Sequence, residues 1–137
     1  MKKIKYVLGF MFDEEEFGVL LIEKLRPKWQ VGKMNGIGGK IETDENSFQA
    51  MRREFKEETG IDYFHWIPVV TISGEDWEVV VYTCKTNQVH GFKTMEDEKV
   101  CYIPLNELRD FNVISNLDWL IPMCLDVDNI NYSIKKP

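Results

Sequence analysis

The chain has 137 residues, a length that suits one domain over residues 1–137. Hydrophobic residues make up 44% of it, enough for a packed core and too many for a disordered protein. The formal net charge of -6 disfavours a nucleic-acid polymer as partner, because binding to a phosphate backbone needs a basic surface. A small phosphorylated ligand is still compatible, since a metal ion can bridge two anionic groups.

The cysteines and the apolar segments predict where the protein works. Cys84, Cys101 and Cys124 lie far apart and form no CxxC pair, so we expect neither structural zinc nor a disulfide framework. Dispersed thiols fit a reducing compartment. No apolar segment has the length that a bilayer span requires. We therefore predict a cytoplasmic protein without a membrane partner.

Strand-like and helix-like segments alternate along the chain. In order, we predict strands at Ile4–Phe12 and 17–25 that pair as a hairpin, a glycine-rich loop at 26–39, a helix at 46–59, strands at 66–73 and 77–86, a polar loop at 87–99, a strand at 100–103, a helical turn at 104–109, a helix at 116–125 and a last strand or tail at 130–134. Asp44 or Asn46 is expected to cap the first helix at its start. This order indicates an α/β or α+β sandwich and not a helix bundle.

The helix predicted at residues 46–59 carries three clustered glutamates. Glu54, Glu57 and Glu58 are three and four residues apart, opposite the apolar face of the helix, so their carboxylates should converge. They form either a solvated acidic surface or a site for a hard divalent cation such as Mg²⁺, which takes carboxylate and phosphate oxygens. The preceding glycine-rich loop favours the cation site, because exposed backbone amides suit phosphate oxygens.

The segment that contains these glutamates resembles the Nudix box. Gly39 is followed after five residues by Glu45 and, after seven more, by Arg53-Glu54-Phe55-Lys56-Glu57-Glu58-Thr59-Gly60-Ile61, which matches every defined position of the motif. The resemblance implies an α+β fold, an α/β/α sandwich with a mixed β-sheet flanked by helices. It also implies the hydrolysis of a nucleoside diphosphate linked to another group.

The resemblance assigns a role to most residues of the motif. It implies that Glu54, Glu57 and Glu58 bind Mg²⁺ or Mn²⁺ and that, together with Arg53, they are the catalytic residues. Either Glu54 or Glu57 is the expected general base.

Four further residues receive roles around this set. Glu45 would be the structural partner of Arg53, and Gly60 would end the helix. Gly39 would let the chain turn at the metal site. We also predict Glu98, in the polar loop, as a further metal ligand, the alternative being an exposed loop charge.

A second resemblance concerns the substrate. Residues 33–40 are similar to the Trp-Asn-Gly-x-Gly-Gly-Lys run of oxidised-purine nucleoside triphosphatases, although Met34 replaces the Trp. The resemblance implies that Asn35 reads a purine, with Gly38 and Lys40 as substrate contacts. Asn116 or Asp118, at the start of the last helix, is another predicted base contact. Trp29 either stacks on a base or covers the sheet.

The predicted reaction is the hydrolysis of a purine nucleoside triphosphate, normal or oxidised as in 8-oxo-dGTP, to the monophosphate and pyrophosphate. The enzyme would act as a monomer or a homodimer. Two alternatives stay open. One is a Nudix hydrolase of ADP-ribose or of a dinucleoside polyphosphate, and the other is a sensor that binds a nucleotide without cleaving it.

Overall fold

A computed structural model describes residues 2–126 and the backbone of residues 132–135. The strands in these ranges are β1 (Ile4–Phe12), β2 (Gly18–Glu23), β3 (Met34–Asn35), β4 (Ile37–Lys40), β5 (Ile67–Ser73), β6 (Trp77–Lys85), β7 (Val100–Pro104) and β8 (Tyr132–Lys135). The helices are α1 (Ser47–Thr59) and α2 (Leu117–Leu125), with short 3-10 helices at Lys28–Gln30, Asn87–Gly91 and Leu105–Asp110.

The strands form one mixed sheet around β1. The main order is β3-β2-β1-β6-β5-β8, and β4 and β7 pair with β1 and β2 respectively. β1 runs parallel to β6 and antiparallel to both β2 and β4. The predicted hairpin of the first two strands is therefore confirmed, and so is the mixed sheet.

Side chains of β1 alternate between two apolar layers, as the period of a strand requires. Val7 and Met11 pack into one layer, while Phe10 and Phe12 pack into the other. The first layer includes Ala50, Met51 and Phe55 of α1, and the second includes Leu117, Leu120, Ile121 and Cys124 of α2. One helix thus covers each face of the sheet, which confirms the predicted α/β/α sandwich.

The prediction of a loop over residues 26–39 is partly wrong, because this segment contains β3 and β4. The glycines there serve strand packing. A Cβ on Gly38 would lie 1.8 Å from the carbonyl oxygen of Val7, and one on Gly36 would lie 2.8 Å from the ring of Phe10. The turn predicted at Gly39 is not found either, since Gly39 pairs with Val7 within β4.

Local side chains define both ends of α1. The Asn46 side chain accepts a hydrogen bond from the Gln49 amide at 2.8 Å, and the Gln49 side chain accepts one from the Asn46 amide at 2.9 Å. This reciprocal pair is a capping box, so Asn46 and not Asp44 begins the helix. Gly60 ends it with a φ of 81°, a left-handed conformation that glycine adopts without strain.

The remaining boundaries differ little from the prediction. The polar loop contains the 3-10 helix Asn87–Gly91, and the last helix begins at Leu117 with Asn116 as its N-cap. β8 occupies part of the predicted last strand, whereas Ile130 and Asn131 lie outside the described residues. All three cysteines have free thiols. None of the described helices has the length and apolar character needed to cross a membrane.

Candidate active site

Arg53 is the centre of a carboxylate network on α1. Its guanidinium donates to Glu45 through Nε and an Nη, at 2.9 and 2.6 Å, and to Glu54 at 2.8 Å and Glu57 at 3.0 Å. It also donates to the carbonyl oxygen of Lys40 at 3.0 Å, which joins α1 to the end of β4. The hydrogen bond to Glu45 is the main cause of the raised pKa of Arg53 and of the lowered pKa of Glu45. Glu45 therefore stands as the structural partner of Arg53.

Glu54 lies between α1 and β4. Its side chain is only 15% exposed, so it does not belong to an open acidic face. A Cβ on Gly39 would lie 2.4 Å from the Glu54 carboxylate. Burial raises the pKa of Glu54, opposed by the hydrogen bond from Arg53. Because Gly39 has no side chain, it leaves room for this carboxylate.

Glu58 lacks a hydrogen-bond partner for one of its oxygens. Oε2 is buried, and no described residue donates to it. Burial, followed by the negative charges of Glu98, Glu96 and Glu54, raises the pKa of Glu58 to about 7. Burying a carboxylate among like charges lowers the stability of the folded protein, so too little positive charge lies near Glu58 to balance it.

Glu98 is buried beside Glu58, and the exposed loop charge considered as its alternative is wrong. Only 4% of Glu98 is exposed. Its carboxylate accepts hydrogen bonds from Lys24 Nζ at 3.0 Å and from the backbone amides of Leu25 and Arg26 at 2.6 and 3.3 Å. Burial acts to raise the pKa of Glu98, but these bonds outweigh it and leave the pKa lowered. Its role as a metal ligand stays a prediction.

The loop that carries Glu98 is attached to the end of α1. The Lys93 amide donates to the carbonyl oxygen of Thr59 at 2.9 Å, and the Met95 amide donates to that of Glu58 at 3.1 Å. These backbone bonds bring the acidic residues that follow Met95 to the Glu58 carboxylate. The helix and the loop therefore form one acidic site, although they are distant in sequence.

The three glutamates of α1 do not converge on a single point as predicted. Residues 2–126 contain no group of three or more acidic, histidine or cysteine side chains in a metal-binding arrangement. The physical reason is that Arg53 holds Glu54 and Glu57, whereas Glu58 faces Glu98. The unpaired buried oxygen of Glu58, close to the carboxylates of Glu98, Glu96 and Glu54, fits a hard divalent cation.

The predicted purine-reading residue, Asn35, is half-buried in β3. Its Oδ1 accepts from the Gly36 amide at 2.8 Å, and its Nδ2 donates to Gln30 Oε1 at 3.2 Å. The backbone of the preceding residue, Met34, pairs with Asn112 and Ile114, just ahead of α2. This pairing brings the segment before Asn116 to the strand that carries Asn35.

The other predicted substrate contacts lie along β4 and the 3-10 helix Lys28–Gln30. Gly38 is half-buried within β4, and Lys40 is exposed at its end. Trp29 is 65% exposed, so it does not cover the sheet and its ring is available for stacking. Met34, at the position of the Trp in the similar run, is 5% exposed and packs in the layer under α2.

The family model described as NUDIX domain matches residues 2–120 of the chain. The chain belongs to the NUDIX family. It is 33% identical over 85 residues to the oxidized purine nucleoside triphosphate hydrolase of Danio rerio. That match covers 59% of the chain and 54% of the relative, so the chain spans about half the length of this curated relative.

Solved Nudix structures share the fold at low identity. A MutT structure from a study of Aliivibrio salmonicida and Vibrio cholerae has a TM-score of 0.76 and 20% identity, covering 92% of this chain and 100% of that one. The NUDIX domain of Shewanella oneidensis NrtR, complexed with ADP ribose, has a TM-score of 0.78 and 18% identity, covering 92% and 88%. At these identities the similarity shows the fold alone.

Three residues near the candidate site belong to no recognisable sequence motif. Lys24 binds Glu98 across 74 positions of sequence, and Glu96 acts on Glu58 through its charge. Gln30 binds Asn35 from five residues upstream, outside the box. No local pattern could have identified the first two, because only the fold brings them to the site.

Proposed function

We propose that this Nudix protein is a metal-dependent pyrophosphohydrolase that converts a purine nucleoside triphosphate, normal or oxidised, to the monophosphate and pyrophosphate. The observation that carries the proposal is the unpaired buried carboxylate oxygen of Glu58 next to the Arg53 network. Family membership and the hydrolase relative support an enzyme. The relative's printed substrate class supports a purine nucleotide.

The acidic residues would hold the cation. Glu54, Glu57, Glu58 and Glu98, together with Gly39, are the residues we assign to Mg²⁺ or Mn²⁺. When bound, the ion neutralises phosphate oxygens and orients an attacking water. The chain itself supplies carboxylate oxygens on Glu54 or Glu57 that can accept the proton of that water. Arg53 keeps these two carboxylates in place through its hydrogen bonds.

The base would lie near β3. Asn35 has one N–H and one oxygen lone pair left after its two hydrogen bonds, which suits a purine edge. The exposed ring of Trp29 can stack on the base, and Asn116 begins the helix next to this strand. Gly38 and Lys40 extend along β4 toward the acidic site, where the phosphates would bind.

A second candidate is the hydrolysis of ADP-ribose or a dinucleoside polyphosphate. The likeness to a NUDIX domain complexed with ADP ribose favours it. A nucleotide sensor without turnover is disfavoured, because all the box carboxylates are present. A cytoplasmic monomer or homodimer, with no nucleic-acid polymer as partner, stays our prediction.

A nucleotide panel with Mg²⁺ or Mn²⁺ and chromatographic identification of the products tests the proposal. We expect monophosphate and pyrophosphate from a purine triphosphate, and a loss of at least about 10²-fold in turnover for Glu57→Gln with the fold retained. Glu107→Gln, at an exposed glutamate outside the site, is the matched control. An unchanged rate for Glu57→Gln would refute the catalytic assignment, and a preference for ADP-ribose would establish the second candidate.

A further inference from the structure

Gln30 and Asn35 form a pair of side-chain amides beside the proposed base site. Gln30 Oε1 accepts a hydrogen bond from Asn35 Nδ2 at 3.2 Å, and both side chains are half-buried. The backbone of Gln30 is held at both polar groups. Its amide donates to Pro27 at 2.9 Å, and its carbonyl oxygen accepts from Lys33 at 2.9 Å. The backbone position of Gln30 is therefore fixed, which keeps its side chain within reach of Asn35.

Two neighbouring groups, the Gly36 amide and the Gln30 side chain, hold the two ends of the Asn35 amide. The Gly36 amide lies 2.8 Å from the Asn35 side chain and can only donate a hydrogen bond, so the atom facing it must be Oδ1. Asn35 Nδ2 then points to Gln30, which must present its oxygen. Rotating the Asn35 amide by a half-turn would place two donors face to face at Gly36.

This orientation matters for base selection because of how an amide reads a purine. A freely rotating amide can exchange its donor and its acceptor, and so serves both the 6-oxo edge of a guanine-type base and the 6-amino edge of an adenine-type base. An amide with one fixed orientation serves only one of the two arrangements. The same geometry that holds Asn35 therefore gives it a preference.

We propose that Gln30 is a positioning residue that, together with the Gly36 amide, fixes the Asn35 amide and so makes the site discriminate between 6-oxo and 6-amino purines. The inference rests on the proposed hydrolysis of purine nucleotides. Gln30 acts through Asn35 and needs no contact with the base. Trp29, its neighbour in the 3-10 helix, is exposed and would contribute stacking to either base without distinguishing them.

The test compares kcat/KM for dGTP, 8-oxo-dGTP and dATP in three variants. Gln30→Ala removes the support, so the wild-type ratio between 6-oxo and 6-amino substrates should fall by about three- to tenfold, the usual effect of one hydrogen bond, mainly through KM. Gln30→Glu can only accept at this position, so it should retain the wild-type ratio. Gln88→Ala, at an exposed glutamine in the 3-10 helix Asn87–Gly91, should change nothing.

A second measurement does not depend on activity. In the wild type and Gln30→Glu, the Asn35 Nδ2–H proton that is hydrogen-bonded to residue 30 should exchange slowly with solvent, as measured by NMR, and in Gln30→Ala its exchange should become faster. Unchanged Asn35 signals in Gln30→Ala, or equal use of dGTP and dATP by the wild type, would overturn the inference while leaving the proposed function intact. If no triphosphate is hydrolysed at all, the proposed function fails, and the NMR result alone decides the positioning.

Discussion

Replacing Glu58 with glutamine should stabilise the metal-free protein at pH 8. Glu58 is ionised at that pH, although one of its oxygens is buried without a partner and three other carboxylates surround it. Glutamine has nearly the same shape but no charge, so the substitution removes both the burial of a charge and the repulsion from its neighbours.

The magnitude follows from the raised pKa of Glu58. A rise from 4.5 in the unfolded chain to about 7 in the folded protein corresponds to at most about 3 kcal/mol. Because Glu58 is only half-buried, solvent screening reduces this to about 1 to 2 kcal/mol. Below pH 4.5 Glu58 is protonated in both the folded and the unfolded protein, and it does not lower the free energy of unfolding. The cost grows as pH rises from 4.5 and is complete above about 7.

Denaturant unfolding in EDTA at several pH values between 5 and 8.5 measures this effect. The difference in free energy of unfolding between Glu58→Gln and the wild type should be small at pH 5 and largest at pH 8. Glu75→Gln, at an exposed glutamate in the turn between β5 and β6, is the matched control and should show no such slope. A Glu58→Gln protein that is no more stable than the wild type at pH 8, or a gain that is independent of pH, would refute the reasoning.

Three further predictions concern the same site. Gly39→Ala should displace the Glu54 carboxylate and lower turnover at least about tenfold, whereas Gly91→Ala, whose Cβ meets nothing within 4 Å, should leave turnover unchanged. Glu45→Gln should lower the free energy of unfolding by about 1 to 2 kcal/mol at pH 7, measured by denaturant. Because the pKa of Glu45 is lowered, that loss should shrink as pH falls below 4.5, and a loss constant with pH would contradict it. Mg²⁺ at about a hundred times its Kd should add about 2.7 kcal/mol of stability, and a melting temperature unaffected by millimolar Mg²⁺ would count against a cation site.

The parts of the structure that the sequence predicts well are those with local causes. The limits of α1 depend on Asn46 with Gln49 and on Gly60, all within the motif or adjacent to it. The pairing of Arg53 with Glu45 is also local, since the two residues are only eight positions apart, within the helix and the segment that caps it. Such contacts can be read from spacing, because helical geometry determines which side chains meet.

The parts that the sequence does not predict depend on distant residues. The sequence predicts a loop at glycines 36 and 38, but these glycines lie where the chain passes close to β1, and only the paired strand shows this. The burial of Glu98 likewise depends on Lys24 and on amides more than seventy positions away. A polar loop sequence carries no sign of such partners.

The attachment of residues 93–95 to α1 has a consequence for transplanting the motif. Residues 39–61 bring their own caps, their own arginine and three of its carboxylate partners, so they would assemble much the same network in a foreign host. The electrostatic surroundings of Glu58 would not be transferred with this segment, because Lys24, Glu96 and Glu98 lie outside residues 39–61. A graft of the motif alone would therefore copy its scaffold but not its charge balance, and homologous box sequences need not bind cations with equal strength.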